Sequence, residues 1–396
     1  MSPVSESREA HGPVARGRVR LRTVGLFSGI GGWELGLRRP GHESLLVCEI
    51  DPAARAVLEA RLGGVDIHAD VRTLRRLPAK TELLVGGFPC QDLSQAGKTG
   101  GIEGAQSGLI REVLRLLAAQ RVPWVVLENV PFMLQLARGA ALDVIMTALE
   151  ALGYAWAYRV VDSRAFGLPQ RRRRVIIVAS QCADPRSVLF ADETSTPDEP
   201  GRAGRACGFY WTEGVRGLGW AVDAVPTLKG GSSVGVPSPP AIWMPDGRIV
   251  TPDIRDAERL QGFASDWTKP AETVTRSGMR WKLVGNAVSV PVAKWLGERL
   301  ARPGPFAANE AETRALSPGR SWPNHGWNVG QGRWTGAISE WPKRLSRQPL
   351  HAFLRHDPKP LSTKATTGFL KRARTSTLHF PTGFIDALER HLAATN

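Results

Sequence analysis

One cysteine, Cys90, lies in the tetrapeptide Phe88-Pro89-Cys90-Gln91, just after the apolar run Leu83-Leu84-Val85 and the pair Gly86-Gly87. A thiol at the exit of a strand, in a glycine-rich loop, is placed where open α/β sheets bind ligands and carry out chemistry. Its type makes it a candidate nucleophile, because covalent attack by sulfur splits one hard step into two easier ones. Glu128 and Asn129 follow a second apolar run, Val125-Val126-Leu127, which would bring a carboxyl group to the same crevice. Gln170, Arg172 and Arg174 alternate at period two, so an extended backbone would turn an amide and two guanidiniums one way. Each has an ordinary alternative: a small core thiol, a contact near a helix start, a solvated basic run.

A second set of residues could hold a small molecule. Ser28-Gly29-Ile30-Gly31-Gly32 follows the apolar segment 21–27, and glycines there let backbone approach a ligand at a helix start. The loop is not a dinucleotide fingerprint, since the third glycine would fall at Glu34. Glu49 ends the next strand about 20 residues on, where a carboxylate can accept from ribose hydroxyls. Asp70 ends a third strand, Val65 to His68. Together these describe an adenosine-type pocket with no pyrophosphate cradle.

The elements that must position these residues alternate. Strand signals at 21–27, 45–48, 65–68, 83–85, 124–127 and 175–178 are separated by helical periodicities, among them Leu109, Ile110, Val113, Leu114 and Leu117. Such alternation predicts an α/β fold with a doubly wound, mainly parallel sheet. Beyond Ser180 the pattern breaks into a Gly-, Pro- and aromatic-rich stretch. Helical spacing returns at Val288, Val292, Leu296 and Leu300, and again at Phe384, Ile385, Leu388 and Leu392.

The 396 residues carry a net charge of +15 and are 42% hydrophobic, so a sizeable core and a polyanionic partner are both expected. Four scattered cysteines without CxxC pairing speak against a metal site and for a reducing cytoplasm. No run reaches the roughly 18 apolar residues needed to span a bilayer. Residues 1–20 are expected to be a basic tail.

In order and wording these pieces resemble the cytosine-C5 DNA methyltransferases. The resembling segments are Phe27-Ser28-Gly29-Ile30-Gly31-Gly32, Glu49-Ile50-Asp51, Asp70-Val71, Gly87 to Gln91, Glu128-Asn129-Val130, Gln170 to Arg174, Arg259-Leu260-Gln261-Gly262-Phe263 and Gly285-Asn286-Ala287-Val288. The resemblance implies the S-adenosylmethionine-dependent methyltransferase fold, with a smaller irregular or β-rich target-recognition lobe and a C-terminal extension. The implied division is a catalytic and cofactor-binding domain at 21–180 plus 283–300, a recognition lobe at 181–282 and a Trp-rich basic extension at 301–396.

It further implies that Cys90 attacks C6 of a flipped-out cytosine while Glu128 holds the base, with Arg174 and Arg172 orienting both. S-adenosyl-L-methionine would be bound by Phe27 against adenine, Gly29 and Gly32 at the methionine end, Glu49 at the ribose, and Asp70 with Val71 at the adenine amine. Pro89 would shape the loop, and Asn286 would close the pocket. Contacts to double-stranded DNA are expected from Gln91, Ser94, Lys98 and Gln170, and from Thr227, Lys229 and Ser232 in the lobe. The chain is expected to act as a monomer, away from membranes, alongside a cognate restriction or phage-defence component. Three features depart from the pattern: Ala264 follows Phe263 where proline is usual, the recognition span is short, and about 95 residues trail the last family helix. The alternatives are an RNA-directed enzyme of the same fold and a catalytically silent DNA-binding subunit. The intact arginine run and the presence of Cys90, Glu128 and Arg174 argue against them.

Overall fold

The computed structural model describes residues 18–89, 108–215, 217–230, 237–317, 319 and 321–395. Five strands form the parallel half of a large sheet: β1 (Arg22–Leu26), β2 (Glu43–Cys48), β3 (Asp66–His68), β4 (Leu83–Gly87) and β5 (Trp124–Asn129). Their order is β3-β2-β1-β4-β5, so the chain reverses direction of travel between β1 and β4. That switch point opens a crevice at the carboxyl ends of the strands. The central strands are covered on both faces and mainly apolar; every residue of β5 is buried. Helices α1 (Gly32–Arg38), α2 (Pro52–Leu62), α3 (Leu109–Ala119) and α4 (Ala140–Ala151) supply the layers.

The second half of the sheet is antiparallel. β6 (Ala155–Asp162) and β8 (Arg173–Ser180) pair along their whole length, and β8 runs antiparallel to β5. The alternation in the sequence had suggested a parallel strand at 175–178. Only residues 163–172 link β6 to β8, however, too few for the crossover that a parallel pair needs. Within that link, β7 (Gln170–Arg171) leaves the sheet to pair with the lobe.

A second, five-stranded sheet has the order β10-β9-β12-β13-β17. Its strands are β9 (Cys207–Phe209), β10 (Ala221–Val222), β12 (Ala241–Trp243) and β13 (Ile249–Thr251), with β17 (Lys359–Pro360) arriving from the far end of the chain. Between them β11 (Val225–Pro226) runs parallel to β7 and stitches the two sheets together. Helices α5 (Ile254–Leu260), α6 (Arg280–Asn286) and α7 (Val290–Ala301) then return the chain to the main sheet. α7 crosses α1 so closely that a Cβ on Gly36 would sit 2.4 Å from the Ala293 methyl.

Residues 301–396 are divided between the two sheets. β14 (Arg314–Ala315), β15 (His325–Asn328) and β16 (Trp334–Thr335) extend the main sheet beyond β6. Arg159 in β6 is fully buried and fastens this addition: it donates to the carbonyls of Ser339 at 2.7 Å and Asp192 at 2.8 Å, and pairs with Glu193. Helices α8 (Thr363–Arg374) and α9 (Phe384–Thr395) pack on the second sheet, where Phe369 and Phe384 close around Phe209 with centroids 5.4 and 5.0 Å away. Phe209, Phe369 and Phe384 are all fully buried, so the lobe has no complete core without the C-terminal helices.

Candidate active site

β1 ends in a backbone built for close approach. Phe27, Gly29 and Gly31 take left-handed φ values of 55°, 55° and 84°. The strain at Phe27 is held because the Ser28 N–H donates to the Cys48 carbonyl of the neighbouring strand. A Cβ on Gly29 would meet nothing within 4 Å, so open space lies above the loop. Glu49, at the end of β2, accepts from the N–H groups of Gly29 and Asp51, both at 2.8 Å. Burial pushes its carboxyl pKa up, against those two donors. Its neighbour Ile50 is 58% exposed, an apolar platform beside the carboxylate that sequence reasoning overlooked. Phe27, Gly29, Glu49 and Ile50 thus form one rim where β1 and β2 end, with open space beside Gly29.

Not every expected cofactor residue faces that rim. Gly32 is needed for packing: its Cβ would stand 2.5 Å from the Val288 carbonyl oxygen. Val71 is buried in the core below α3. Asp70 is held by Nε and Nη2 of Arg72, with the shortest contact 2.6 Å, and this pairing lowers its pKa. Asn286 is exposed at the end of α6 and lies against Gly230 of the lobe. One turn earlier, Lys282 donates to Asp51 at 3.0 Å and so ties α6 to the rim formed by Phe27, Gly29, Glu49 and Ile50.

A further residue missed in the sequence is Glu34, which is buried beneath the loop. Ser28 donates to it at 2.9 Å, and Gly25 must lack a side chain because a Cβ there would lie 2.0 Å from its Oε1. Burial drives its pKa up to about 7, and its Oε2 has no hydrogen-bond partner. The signal in the sequence was a glutamate inside an otherwise apolar helix start, noticed only as the residue that spoils a dinucleotide motif.

The chemical side lies at the ends of β4 and β5, whose register sets Gly87 opposite Glu128. A Cβ on Gly87 would be 3.2 Å from Glu128 Oε2. Asn129 donates to the Phe88 carbonyl at 3.1 Å and thereby holds the start of the segment that leads to Pro89. Pro89 is exposed; Cys90, Gln91, Ser94 and Lys98 lie outside the described residues, as does Ser232. Of the described cysteines, Cys48 and Cys207 are buried, with thiols pushed up by burial to about 12 and about 11. Neither is poised as a nucleophile.

Arg174 reaches Glu128 as an ion pair, Nε to Oε1 2.7 Å. Arg172 lines the same small cavity behind the pair, together with Val288 and Ser289. Its guanidinium is spent on backbone, however, donating to the carbonyls of Gly285 at 3.2 Å and Ala287 at 2.7 Å. Burial, and then the charge of Arg174, hold its pKa well below the usual arginine value. Arg172 therefore locks the last helices against the strand and backs Arg174 rather than reaching into the cleft. Gln170 also differs from expectation as a DNA contact. It is fully buried, donates to the Leu260 carbonyl at 2.9 Å and accepts from the Leu228 N–H at 3.0 Å. The period-two reading aimed these side chains correctly toward one side; the return of α5 to α7 onto that side covers the first two.

Outside the pair a cleft of about 730 Å³ is lined by Pro131, Arg171, Arg173, Arg174 and Thr227 on one side, and by Asn324, Glu340 and Trp341 of the C-terminal segment on the other. Thr227 donates to the Arg171 carbonyl at 2.9 Å. Lys229 is exposed, pairs with Glu213 and sits 3.7 Å from the centroid of the Tyr210 ring. Among the described residues no cluster of His, Cys, Asp or Glu could hold a metal ion, and no helix is long and apolar enough to cross a membrane.

Residues 21–200 match the family model for C-5 cytosine-specific DNA methylases. A Bacillus subtilis (strain 168) protein, Type II methyltransferase M2.BsuMI, is 48% identical over 385 residues, covering 93% of this chain and 98% of that one. The chain belongs to the C-5 cytosine-specific DNA methylase family. It is a DNA (cytosine-5-)-methyltransferase. Type II methyltransferase M.MspI of Moraxella sp is 27% identical and covers 71% of this methylase and 70% of its own length. The crystal structure of S. pombe Dnmt2 methyltransferase shares the fold, with a TM-score of 0.51 at 18% identity over 71% of this methylase and 98% of that chain. An alignment spanning 93% of the methylase takes in most of residues 301–396, so the extension that seemed to lack a counterpart has one in the Bacillus relative.

Proposed function

We propose that this methylase modifies one cytosine within a specific double-stranded DNA sequence, through a covalent bond between Cys90 and C6 of a base turned out of the duplex. The observation that carries the reading is the Glu128–Arg174 ion pair, set opposite Gly87 at the start of the segment bearing Cys90. Cytosine C5 is a poor nucleophile until addition at C6 makes the ring enamine-like. The thiolate of Cys90 adds to C6 while Glu128, fixed by Arg174, gives a proton to N3 and accepts from the exocyclic amine. S-adenosylmethionine would be held by the Phe27–Gly29–Glu49–Ile50 rim and would supply an electrophilic methyl group for C5. Loss of the C5 proton and departure of the Cys90 sulfur restore the aromatic ring. Unstacking the base costs a few kcal/mol, which phosphate contacts from the basic cleft around Arg171 and Arg173 would offset.

The Bacillus relative is named a type II methyltransferase, and modification of a recognition sequence in company with a restriction or defence component is the role proposed for this chain. Duplex DNA carrying 5-fluorocytosine tests the mechanism, because fluorine at C5 cannot leave as a proton and elimination stalls. The full chain with S-adenosylmethionine should form a denaturant-resistant protein–DNA adduct that disappears in Cys90→Ser. An adduct that survives in that variant would overturn the assignment of Cys90.

A further inference from the structure

Lys229, Glu213 and Tyr210 form a cluster at the edge of the cleft, and none of them holds its position by itself. The Tyr210 hydroxyl donates to the Thr227 carbonyl at 2.7 Å, and the Trp211 indole N–H donates to the Pro239 carbonyl at 2.8 Å. The short segment 210–213 thus grips the chain on both flanks of residues 229–239. Burial, followed by the charge of Glu213, pushes the Tyr210 phenol up to about 12, while Arg171 and Arg174 pull it down. The cluster therefore lies within electrostatic reach of the catalytic pair. Its ammonium and carboxylate are both partly open, with side chains 42% and 39% exposed. A lysine and a glutamate so placed can exchange each other for base edges, the lysine donating to guanine and the glutamate accepting from cytosine N4.

The segment 210–213 is in turn held from α8. Arg372 donates to the Trp211 carbonyl at 2.7 Å and to the Glu213 carbonyl at 2.9 Å. One planar guanidinium fork spans two carbonyls two residues apart with its donors fixed in direction, a geometry that a rotatable ammonium does not hold. Next to it Gly214, at φ 115°, passes the Phe369 ring so closely that a Cβ would lie 3.0 Å from it.

We propose that Arg372 is a positioning residue for target recognition: it fixes the Tyr210–Glu213–Lys229 cluster, so that the C-terminal helix takes part in choosing the DNA sequence. The proposal rests on the reading of residues 181–282 as the recognition lobe. Arg372 touches no DNA in this account. Its loss would let Glu213 and Lys229 shift while Glu128 and Arg174 stay in place.

The test compares full-length Arg372→Ala, Arg372→Lys and Lys229→Ala proteins on cytosine-unmethylated genomic DNA, with bisulfite sequencing as the readout of site choice. In Arg372→Ala, methylation should spread to sites one base pair from the preferred one. Its KM for DNA should rise about tenfold, as expected for loss of two charge-assisted hydrogen bonds, with a smaller change in kcat. Arg372→Lys, able to reach one carbonyl, should recover part of both; if Arg372→Ala fails to fold, that variant against wild type carries the test. A site profile and KM unchanged in a folded Arg372 variant, with Lys229→Ala altering them, would overturn the positioning role. If Lys229→Ala is equally silent, the assignment of the lobe as the reader fails, and the proposal with it.

Discussion

The two sheets of this methylase are assembled in opposite ways. The parallel half of the main sheet comes from consecutive strand-helix units, so each candidate site residue lies at or just past the end of its strand: Phe27 after β1, Glu49 after β2, and Glu128 within the end of β5. The second sheet gathers β9 to β13 and then waits for β17, α8 and α9, more than 100 residues later, to fill its core. The first arrangement makes chemistry a local property of loops on a rigid frame. The second makes the lobe's core depend on distant packing, which ties a helix outside the cleft to residues 211 and 213.

Substitutions that act on the first region should alter the chemical step and leave DNA affinity nearly intact. The largest effect is expected for Cys90→Ser, where methyl transfer should fall by at least about 10⁴-fold with loss of the trapped adduct. A gel-shift assay should find its DNA binding retained; if binding fell with activity, the separation between the two regions would break. Glu128→Gln keeps the shape but removes the charge opposite Arg174, and single-turnover methylation should slow about 10²- to 10³-fold. A larger rise in KM for DNA than loss of rate would move Glu128 to the recognition side.

Two further variants probe how the frame itself is held. Arg159→Met strips the buried guanidinium from the carbonyls that fasten residues 339–341, and urea unfolding should show a loss of about 3 kcal/mol. An unchanged midpoint would mean that the added strands β14 to β16 are held without it. Glu34 offers a pH test. Its folded-state pKa of about 7 lies above the ordinary 4.5, so the native state keeps a proton that the unfolded chain releases. Stability from this group is present below about pH 4.5 and falls as pH rises to about 7, by roughly 3 kcal/mol in all. Glu34→Gln, permanently neutral, should therefore gain on wild type between pH 5 and pH 8, as read by denaturant unfolding at both. An advantage independent of pH would show that Glu34 is not titrating there. The smallest effect belongs to Lys229→Ala, which should weaken DNA binding by about 1 to 2 kcal/mol and relax site choice, with kcat on saturating DNA falling less.

How much of this could be read beforehand follows the same division. The motifs after β1, β2, β4 and β5 were legible because one hydrophobic run and one turn place each reactive group, and the alternation of runs set the order of units. The period of two in Gln170 to Arg174 gave the correct side but not which of its residues remain open there. Arg172 and Gln170 are covered by α5 to α7, and no local pattern announces what will pack on a strand. The added strands of the extension escaped notice because β14 and β16 are two residues long and make sense only beside β6. Glu34 looked like an interruption in a motif; its burial against Gly25 appears only when β1 and α1 are folded together.

By itself the sequence determined which candidate groups stand at strand ends, because strand ends, glycine turns and helix starts are set over a few residues. It marked Cys90, Glu128, Arg174 and Glu49 as groups for chemistry and cofactor binding. Tertiary structure alone decided that Glu128 meets Arg174 across antiparallel strands, and that Arg172 serves backbone carbonyls. It also decided that the C-terminal residues supply a sheet edge and half of a lobe core. Those outcomes depend on contacts between residues far apart in the chain, as between Arg159 and Ser339, 180 residues apart. Such contacts are fixed by the burial of apolar surface and the pairing of buried polar groups, not by any local spacing.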